Sequence, residues 1–187
     1  MRRGFKAEAE RRAVAAREAL GIDPAGALCP WRYAEHRGIL VYEAADLDLP
    51  EEHSGQLLVI DPDSWSGLSL LEDGVHVVVL NSAHPRTRRA STLMHEIAHI
   101  DLDHAPAEVN VSPSGLVLLS DYSNEQEEEA DWLGGAMLLP EPALLTMRAR
   151  GISAQQIALR HGVSEKLCHW RCRMTGVEKR LAFRRRA

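Results

Sequence analysis

The chain has 187 residues, of which 45% are hydrophobic and 26% charged, and its formal net charge is −5. This length supports one domain, or one domain with a small appendage, and leaves ample material for a buried core. The mild acidity argues against a general attraction to nucleic acids or membranes. The chain has neither a ~20-residue apolar run nor a secretory h-region. Three cysteines do not suggest a disulfide framework. We therefore expect a cytoplasmic protein.

The first half of the chain predicts two helices followed by strands. A stripe of apolar residues from Phe5 to Leu20 predicts a helix that ends at Gly21, and residues 30–37 predict a second, short helix. Strands are predicted for residues 39–43, 56–60 and 76–80, with a turn-rich segment at 61–67. These segments indicate an α+β fold with a small mixed or antiparallel sheet.

The second half is predicted to be mostly helical. A helix is expected over residues 85–102, and another over residues 124–139, where acidic residues begin the helix and Pro140 ends it. Between them, residues 105–124 contain two prolines and a glycine, which predict an irregular rim of a cleft. Everything after this segment is predicted to be helical, and the arginines at 184–186 are expected to form a solvated end.

The most informative motif is His95-Glu96-Ile97-Ala98-His99, which has the pattern HExxH. Residues four apart lie on one face of a helix, so both imidazoles can reach one metal ion, and Glu96 can accept a proton from its bound water. The alternative is a helix that contains two histidines without binding a metal. Apolar neighbours should bury this helix, and buried polar groups need partners. The motif therefore predicts a metal site with His95 and His99 as ligands and Glu96 as the general base.

A third protein ligand is expected because a catalytic zinc usually has three protein ligands and one open position. Glu127 lies on the same helical face as Asp131, Gly134 and Leu138, and the small residues 134 and 135 would let this helix approach another closely. Glu127 is therefore the predicted ligand, with Glu128 and Glu129 as alternatives. Asp131 is predicted to hydrogen-bond the outer nitrogen of a ligand histidine.

These residues resemble the ImmA/IrrE family of zinc metallopeptidases. The resemblance rests on HExxH, on Glu127-x-Glu129-Ala130-Asp131 and on the run that ends in Leu138-Leu139-Pro140, and it extends over nearly the whole chain. The chain departs from the family pattern at Leu133, where phenylalanine is usual, and at Gly134-Gly135, where alanines are usual.

The resemblance implies a gluzincin-like endopeptidase with one Zn²⁺ per chain, and the family also places the glutamate ligand four residues before the aspartate. Residues 1–150 would form a zincin-like domain in which the sheet packs on the HExxH helix. The implied substrate is a protein, a helix-turn-helix repressor of a mobile element or stress regulon. The larger relatives have a further sensor domain, for which this chain is too short.

Residues 151–187 are predicted to be a helix-turn-helix-like tail packed on the first domain. Gly162 would form the turn, and Ser164 would cap the next helix. That helix contains basic side chains that could touch phosphates or bases, at Lys166, His169, Arg171 and Arg173. The negative net charge and the absence of an obvious dimerisation element favour a partner-docking role over direct DNA binding.

Several assignments stay open at this stage. The residue that assists zinc in stabilising the oxyanion could be His104, Tyr122 or His161. A second metal site at Cys168 and Cys172 is conceivable, but free cysteines more often serve as small buried apolar residues. Two other functions are considered, a DNA-binding regulator with a structural zinc and a protein that sequesters its partner without cutting it. The carboxylate of Glu96 argues against both, because a structural site does not need it.

Overall fold

The computed structural model describes residues 1–105, 108–111, 117–120 and 122–184. Its helices are α1 (Phe5–Ala19), α2 (Pro30–His36), α3 (Glu51–Gly55), α4 (Arg86–Asp101), α5 (Asn124–Leu138), α6 (Glu141–Ala149), α7 (Ala154–His161), α8 (Glu165–Thr175) and α9 (Val177–Arg184). Its strands are β1 (Leu40–Glu43), β2 (Gly67–Glu72), β3 (Val75–Leu80), β4 (Glu108–Val111) and β5 (Val117–Ser120). The predicted α+β class is confirmed.

The five strands form one mixed sheet in the order β1-β3-β2-β5-β4. Strand β1 runs parallel to β3, with Leu40 opposite Val77, and the other neighbouring pairs are antiparallel. Of the two sheet types predicted, the mixed one is therefore found. Strand β3 lies between β1 and β2, and its residues Val77–Leu80 are buried, as the continuous apolar run predicts.

The predicted strand at residues 56–60 is wrong. Helix α3 continues there into a π-helical turn, Gln56–Ile60, in which Val59 and Ile60 are 77% and 73% exposed. A short apolar run is equally compatible with a strand and a helical segment, and its hydrophobicity does not show whether it is buried. The strand beside β3 is instead β2, at Gly67–Glu72, just after the predicted turn.

The segment predicted to be irregular, residues 105–124, contains two strands. Strands β4 and β5 pair with each other, and β5 adds to β2 through Leu70 opposite Leu118. Prolines and glycines therefore mark the ends of these strands and do not exclude them. Residues 106, 107, 112–116 and 121 of that prediction lie outside the described residues.

Helix α4 occupies the centre of the fold, between the sheet and helix α5. It contacts β2 and β3 on one side and α5 on another, and α5 also packs against α1. The side chains of Leu93, Met94, Ile97 and Ala98 are fully buried or nearly so. This packing fixes the position of the HExxH motif from two directions, and the motif is helical as predicted.

The C-terminal helices α6–α9 pack on the same core as the rest of the chain. Buried residues of α7, α8 and α9, such as Ile157, Cys168 and Leu181, belong to the hydrophobic cluster that also contains Phe5 and Leu93. The predicted boundary between residues 150 and 151 stays a prediction. No helix in the described ranges has the length and apolar character needed to cross a bilayer.

Candidate metal centre

The candidate site lies where α4 and α5 approach each other closely. At Gly134 on α5, a Cβ atom would lie 3.3 Å from the carbonyl oxygen of Met94 and 3.4 Å from the backbone nitrogen of His95. A residue with a side chain would therefore press directly on the backbone of the HExxH motif. The predicted role of the small residues in close helix contact is confirmed, and Gly134 brings Glu127 and Asp131, earlier in the same helix, level with the histidines.

The inner nitrogen atoms of both histidines face the carboxylate of Glu127. His95 Nε2 lies 3.1 Å from His99 Nε2 and 3.1 Å from Glu127 Oε2, and His99 Nε2 lies 3.5 Å from Glu127 Oε1. Among the residues that the structure describes, these three form the one group of His, Cys, Asp or Glu side chains whose donor atoms all lie within 4.8 Å of one another. The structure thus brings together the three predicted ligands.

Asp131 lies where the sequence predicted it, behind His95. His95 Nδ1 donates a hydrogen bond to Asp131 Oδ1 at 3.0 Å, which leaves Nε2 directed at Glu127 and His99. Burial lowers the pKa of His95, but the hydrogen bond that it donates to Asp131 and the charges of Glu96 and Glu127 outweigh this effect, so the net shift is upward. The carboxylate of Asp131 thereby fixes the ring orientation and the tautomer of His95.

His99 is fully buried and is held by a second chain of polar contacts. Its Nδ1 lies 3.1 Å from Nδ1 of His104, whose Nε2 lies 3.6 Å from Glu129 Oε2. Glu129 in turn accepts hydrogen bonds from the backbone and the guanidinium of Arg2. Burial lowers the pKa of His99 to about 3, and the positive charges of His95 and His104 act in the same direction. The ring is therefore neutral at physiological pH, the form that binds metals.

The carboxylate of Glu96, beside the histidine pair, contacts strand β2. It accepts a short hydrogen bond from the hydroxyl of Ser69, a fully buried residue at the centre of β2. Burial raises the pKa of Glu96, and the Ser69 hydrogen bond and the charge of His95 only partly oppose this. A carboxylate with a raised pKa accepts a proton more readily near neutral pH, which suits a general base.

The three candidates for oxyanion stabilisation occupy different places. The ring of Tyr122 stacks on His99, with centroids 3.7 Å apart, and the pKa of its hydroxyl is raised to about 12 by burial and by the charges of Glu96 and Glu127. His104 contacts the outer nitrogen of His99. His161 is buried near the backbone of Leu138, at the far end of α5. Of the three, Tyr122 is the one whose ring stacks directly on a predicted ligand, and its hydroxyl keeps its proton at physiological pH.

The two alternative glutamates contact other groups. Glu128 lies 3.2 Å from the amino group of Met1, and Glu129 is directed at Arg2 and His104. Cys168 and Cys172 are neighbours in the core, and burial and their mutual hydrogen bond raise the pKa of Cys168. Neither cysteine belongs to the converging donor group found among the described residues.

One basic residue of α8 was assigned wrongly. Arg171 was predicted to be available to phosphates or bases, but its side chain is fully buried, donates to the carbonyl of Leu139 and forms a short ion pair with Glu10. Helical spacing explains the error, because Arg171 lies three residues after the buried Cys168 and thus on the face that packs on the core. Lys166, His169 and Arg173 are exposed.

Sequence reasoning missed Ser69 and Arg2 at this site. Ser69 is the one polar residue within the apolar run of β2, a signal that could have marked it as a buried partner of another polar group. Arg2 lies more than one hundred residues from its partner Glu129, and no local pattern indicates that contact.

A comparison with known protein families matches residues 35–173 to the model of the IrrE N-terminal-like domain of the M78 peptidases. No match was found among curated proteins. The matched region extends from the end of α2 to α8 and includes the HExxH helix and the acidic helix α5. Because the match covers well over half of the chain, and the site it contains has the donor groups of a metallopeptidase, the chain belongs to the IrrE N-terminal-like family of metallopeptidases.

Proposed function

We propose that this protein is a zinc-dependent endopeptidase that cleaves a protein partner, a helix-turn-helix repressor, and thereby derepresses a mobile-element or stress regulon. The observation that supports the chemistry best is the convergence of His95, His99 and Glu127, with Glu96 adjacent on the same helix. The nature of the partner is inferred from the family to which the chain belongs.

The spacing of the donor atoms fits a zinc ion. Zinc–nitrogen and zinc–oxygen bonds of about 2.0–2.1 Å in a tetrahedron place the ligand atoms about 3.3–3.4 Å from one another. The two histidine nitrogens lie 3.1 Å apart, and Glu127 places Oε2 3.1 Å from His95 Nε2 and its other oxygen, Oε1, 3.5 Å from His99 Nε2. Two neutral nitrogens and one carboxylate oxygen are also a donor set that zinc prefers and that leaves a fourth position for water.

The side chains around the ion have distinct tasks in this proposal. Bound zinc would supply Lewis acidity, which acidifies a water molecule and polarises the scissile carbonyl. Glu96 accepts the proton of the attacking water at its carboxylate and transfers it to the leaving amine, while Ser69 holds that carboxylate in place. Asp131 orients His95, and His104 orients His99. The hydroxyl of Tyr122 donates to the oxyanion.

The experiment that tests this function replaces the general base. Glu96→Gln keeps the size of the side chain but cannot accept the water proton at neutral pH, so cleavage should slow by at least ~100-fold. Purified protein is incubated with helix-turn-helix repressors from the same genome, beginning with any that is encoded beside its gene, and cleavage is followed by gel and mass spectrometry. Zinc content is measured in parallel, because the variant should keep its metal.

The matched control is Glu128→Gln, which changes a carboxylate that contacts the amino group of Met1 and not the histidines. This variant should cleave at the wild-type rate. The proposal fails if the wild-type protein leaves the repressor intact, or if Glu96→Gln cleaves it as fast as wild type does.

A further inference from the structure

Residues of α8, together with Ser164 at its N-terminus and Ser91 of α4, line a cleft of about 530 Å³. Leu167 and Trp170, both half-buried, provide its apolar surface. Three exposed basic side chains border it, Lys166, His169 and Arg173, which follow one another at intervals of three and four residues and therefore share one face of α8. The cleft thus combines an apolar floor with a basic rim.

The cleft lies one helical turn from the candidate metal centre. Helices α4 and α5 run antiparallel, and His95 of α4 lies opposite Asp131 of α5. One turn earlier in α4 and one turn later in α5, Ser91, which lines the cleft, therefore lies at the level of Gly135. A Cβ at Gly135 would lie 2.6 Å from the ring of Trp170, so α8 reaches the pair of helices at this level. One turn corresponds to about 5.4 Å along the helix. A peptide that passes the metal centre can therefore extend into the cleft.

The charge of the cleft differs from that of the whole chain. His169 Nε2 lies 3.3 Å from a carboxylate oxygen of Glu165, but Lys166 and Arg173 form no ion pair with any residue in the described ranges. The chain as a whole has a formal net charge of −5. The cleft therefore has unpaired positive charges beside an apolar surface, although the protein as a whole is acidic. Such a surface is complementary to an acidic segment that presents an apolar side chain.

We propose that the cleft between α4 and α8 binds an acidic segment of the protein substrate, with an aliphatic or aromatic residue of that segment packed on Leu167 and Trp170. This inference rests on the proposed peptidase function and specifies the class of substrate. The cleft is an anchoring site outside the metal centre, and it selects substrates by their charge and by one apolar anchor.

The shape of the cleft favours a protein segment over duplex DNA. A recognition helix must protrude to enter the major groove, which is about 12 Å wide. The basic face of α8 instead lines a recess that also includes Ser91 of α4, and Arg171 is buried in the core. A flexible peptide segment fits such a recess.

The test measures binding of short fluorescent peptides to the full chain by fluorescence anisotropy at about 150 mM salt, where exposed charges more than about 8 Å apart are screened. One peptide has central Leu and Phe residues flanked by Asp and Glu, a second has Lys and Arg at the same flanks, and a third keeps the acids but replaces Leu and Phe by Ser. The Glu96→Gln protein is used so that no peptide is consumed. Only the first peptide should bind saturably.

Two double variants of equal net charge separate a local effect from a general one. Lys166→Glu with Arg173→Glu alters the rim of the cleft, and Arg150→Glu with Arg160→Glu alters exposed residues that do not line it. Each pair lowers the formal net charge by four, from −5 to −9. The first pair should weaken peptide binding at least tenfold and the second should leave it unchanged, with zinc content and melting temperature measured for both.

The proposal is overturned if the acidic peptide does not bind, if the basic peptide binds as well, or if both double variants weaken binding equally. Submicromolar, sequence-selective binding of duplex DNA would also overturn it, because non-specific protein–DNA complexes have dissociation constants near 10⁻⁴–10⁻⁶ M. These outcomes are distinct from failure of the peptidase proposal, in which the acidic peptide still binds but the wild-type protein cleaves no repressor.

Discussion

Two helix pairs of this molecule arrange polar side chains in opposite ways. In the α4–α5 pair, the donor atoms of the buried His99 and the partly exposed His95 and Glu127 converge. In the α7–α8 pair, His161 and Arg171 are both buried but contact separate groups near the end of α5, His161 the backbone of Leu138 and Arg171 the carbonyl of Leu139, and Arg171 also pairs with Glu10.

This difference in direction distinguishes side chains that could bind a ligand from side chains that stabilise the packing of helices. Buried polar groups that each contact a separate backbone group help to position a helix. Groups that converge on one small space leave a set of donors that only a ligand can satisfy well. The direction in which the nitrogen atoms of a buried histidine point therefore indicates a metal site better than the burial of that histidine does.

The largest expected effect comes from removing a converging group. Glu127→Ala should lower zinc affinity by more than the 10–100-fold that is typical of outer hydrogen-bond partners. Glu128→Ala is the matched control, since the next residue along α5 contacts the amino group of Met1. Metal content after dialysis and competition with a chromogenic chelator measure the effect. If the Glu127 variant retains full zinc affinity, the third ligand is another residue.

A smaller loss is expected for the residues behind the histidines. Asp131→Ala and Glu129→Gln should each weaken zinc binding by about 10–100-fold, because each removes a contact that orients a ligand ring. Asp131 orients His95 directly, and Glu129 orients His99 through His104. Glu165→Gln is the control, since it also contacts a histidine, the exposed His169. Equal zinc affinity in all three variants would show that these carboxylates do not position the ligands.

The convergence of His95, His99 and Glu127 could be predicted from the sequence because the information that determines it is local. The i, i+4 spacing of His95 and His99 and the acidic residues that begin α5 are properties of single helices, and helical periodicity survives folding unchanged. The approach of α5 to α4 was also indicated by Gly134, whereas the neighbouring Gly135 lies against Trp170 of α8.

The sheet and the surface of α8 were predicted less well because they depend on distant contacts. Residues 56–60 and 67–72 are both apolar, and only the pairing of β2 with β3 and β5 determines which of them is a strand. The burial of Arg171 likewise depends on Glu10, far away in the sequence. Such choices are made by tertiary packing and not by local pattern.

The close contact between α4 and α5 can be tested without changing a polar group. In Gly134→Ala, the added methyl group presses on the backbone at Met94 and His95, and overpacking of this kind costs about 1–3 kcal/mol, partly offset by the ~1 kcal/mol that alanine gains in a helix. We expect lower stability together with weaker zinc binding, measured by thermal unfolding and chelator competition.

Gly162→Ala is the control in the second helix pair. Its backbone has φ of 65°, so alanine there costs about 1–2 kcal/mol through strain, with no methyl contact near the ligands. This variant should lose stability and keep its zinc affinity. If both variants changed zinc affinity equally, the approach of Gly134 would have no special role at the site.

The smallest effect concerns His161, the buried histidine of the other helix pair. Burial lowers its pKa to about 4, and the charge of Arg17 acts in the same direction, whereas the unfolded chain has the ordinary value near 6.5. Between these values the unfolded state binds a proton that the native state does not, so the free energy of unfolding is highest above pH 6.5 and falls as the pH is lowered toward 4. With solvent screening the loss should be about 1–2 kcal/mol.

His161→Phe removes this titration, so its stability relative to wild type should improve by that amount between pH 7 and pH 4, as measured by urea unfolding at several pH values. Taking the difference cancels the contributions of groups common to both proteins. His53→Phe, at an exposed histidine, should follow the wild-type curve. A His161→Phe protein with the same pH dependence as wild type would mean that this histidine is protonated in the native state and that its burial has no effect on acid stability.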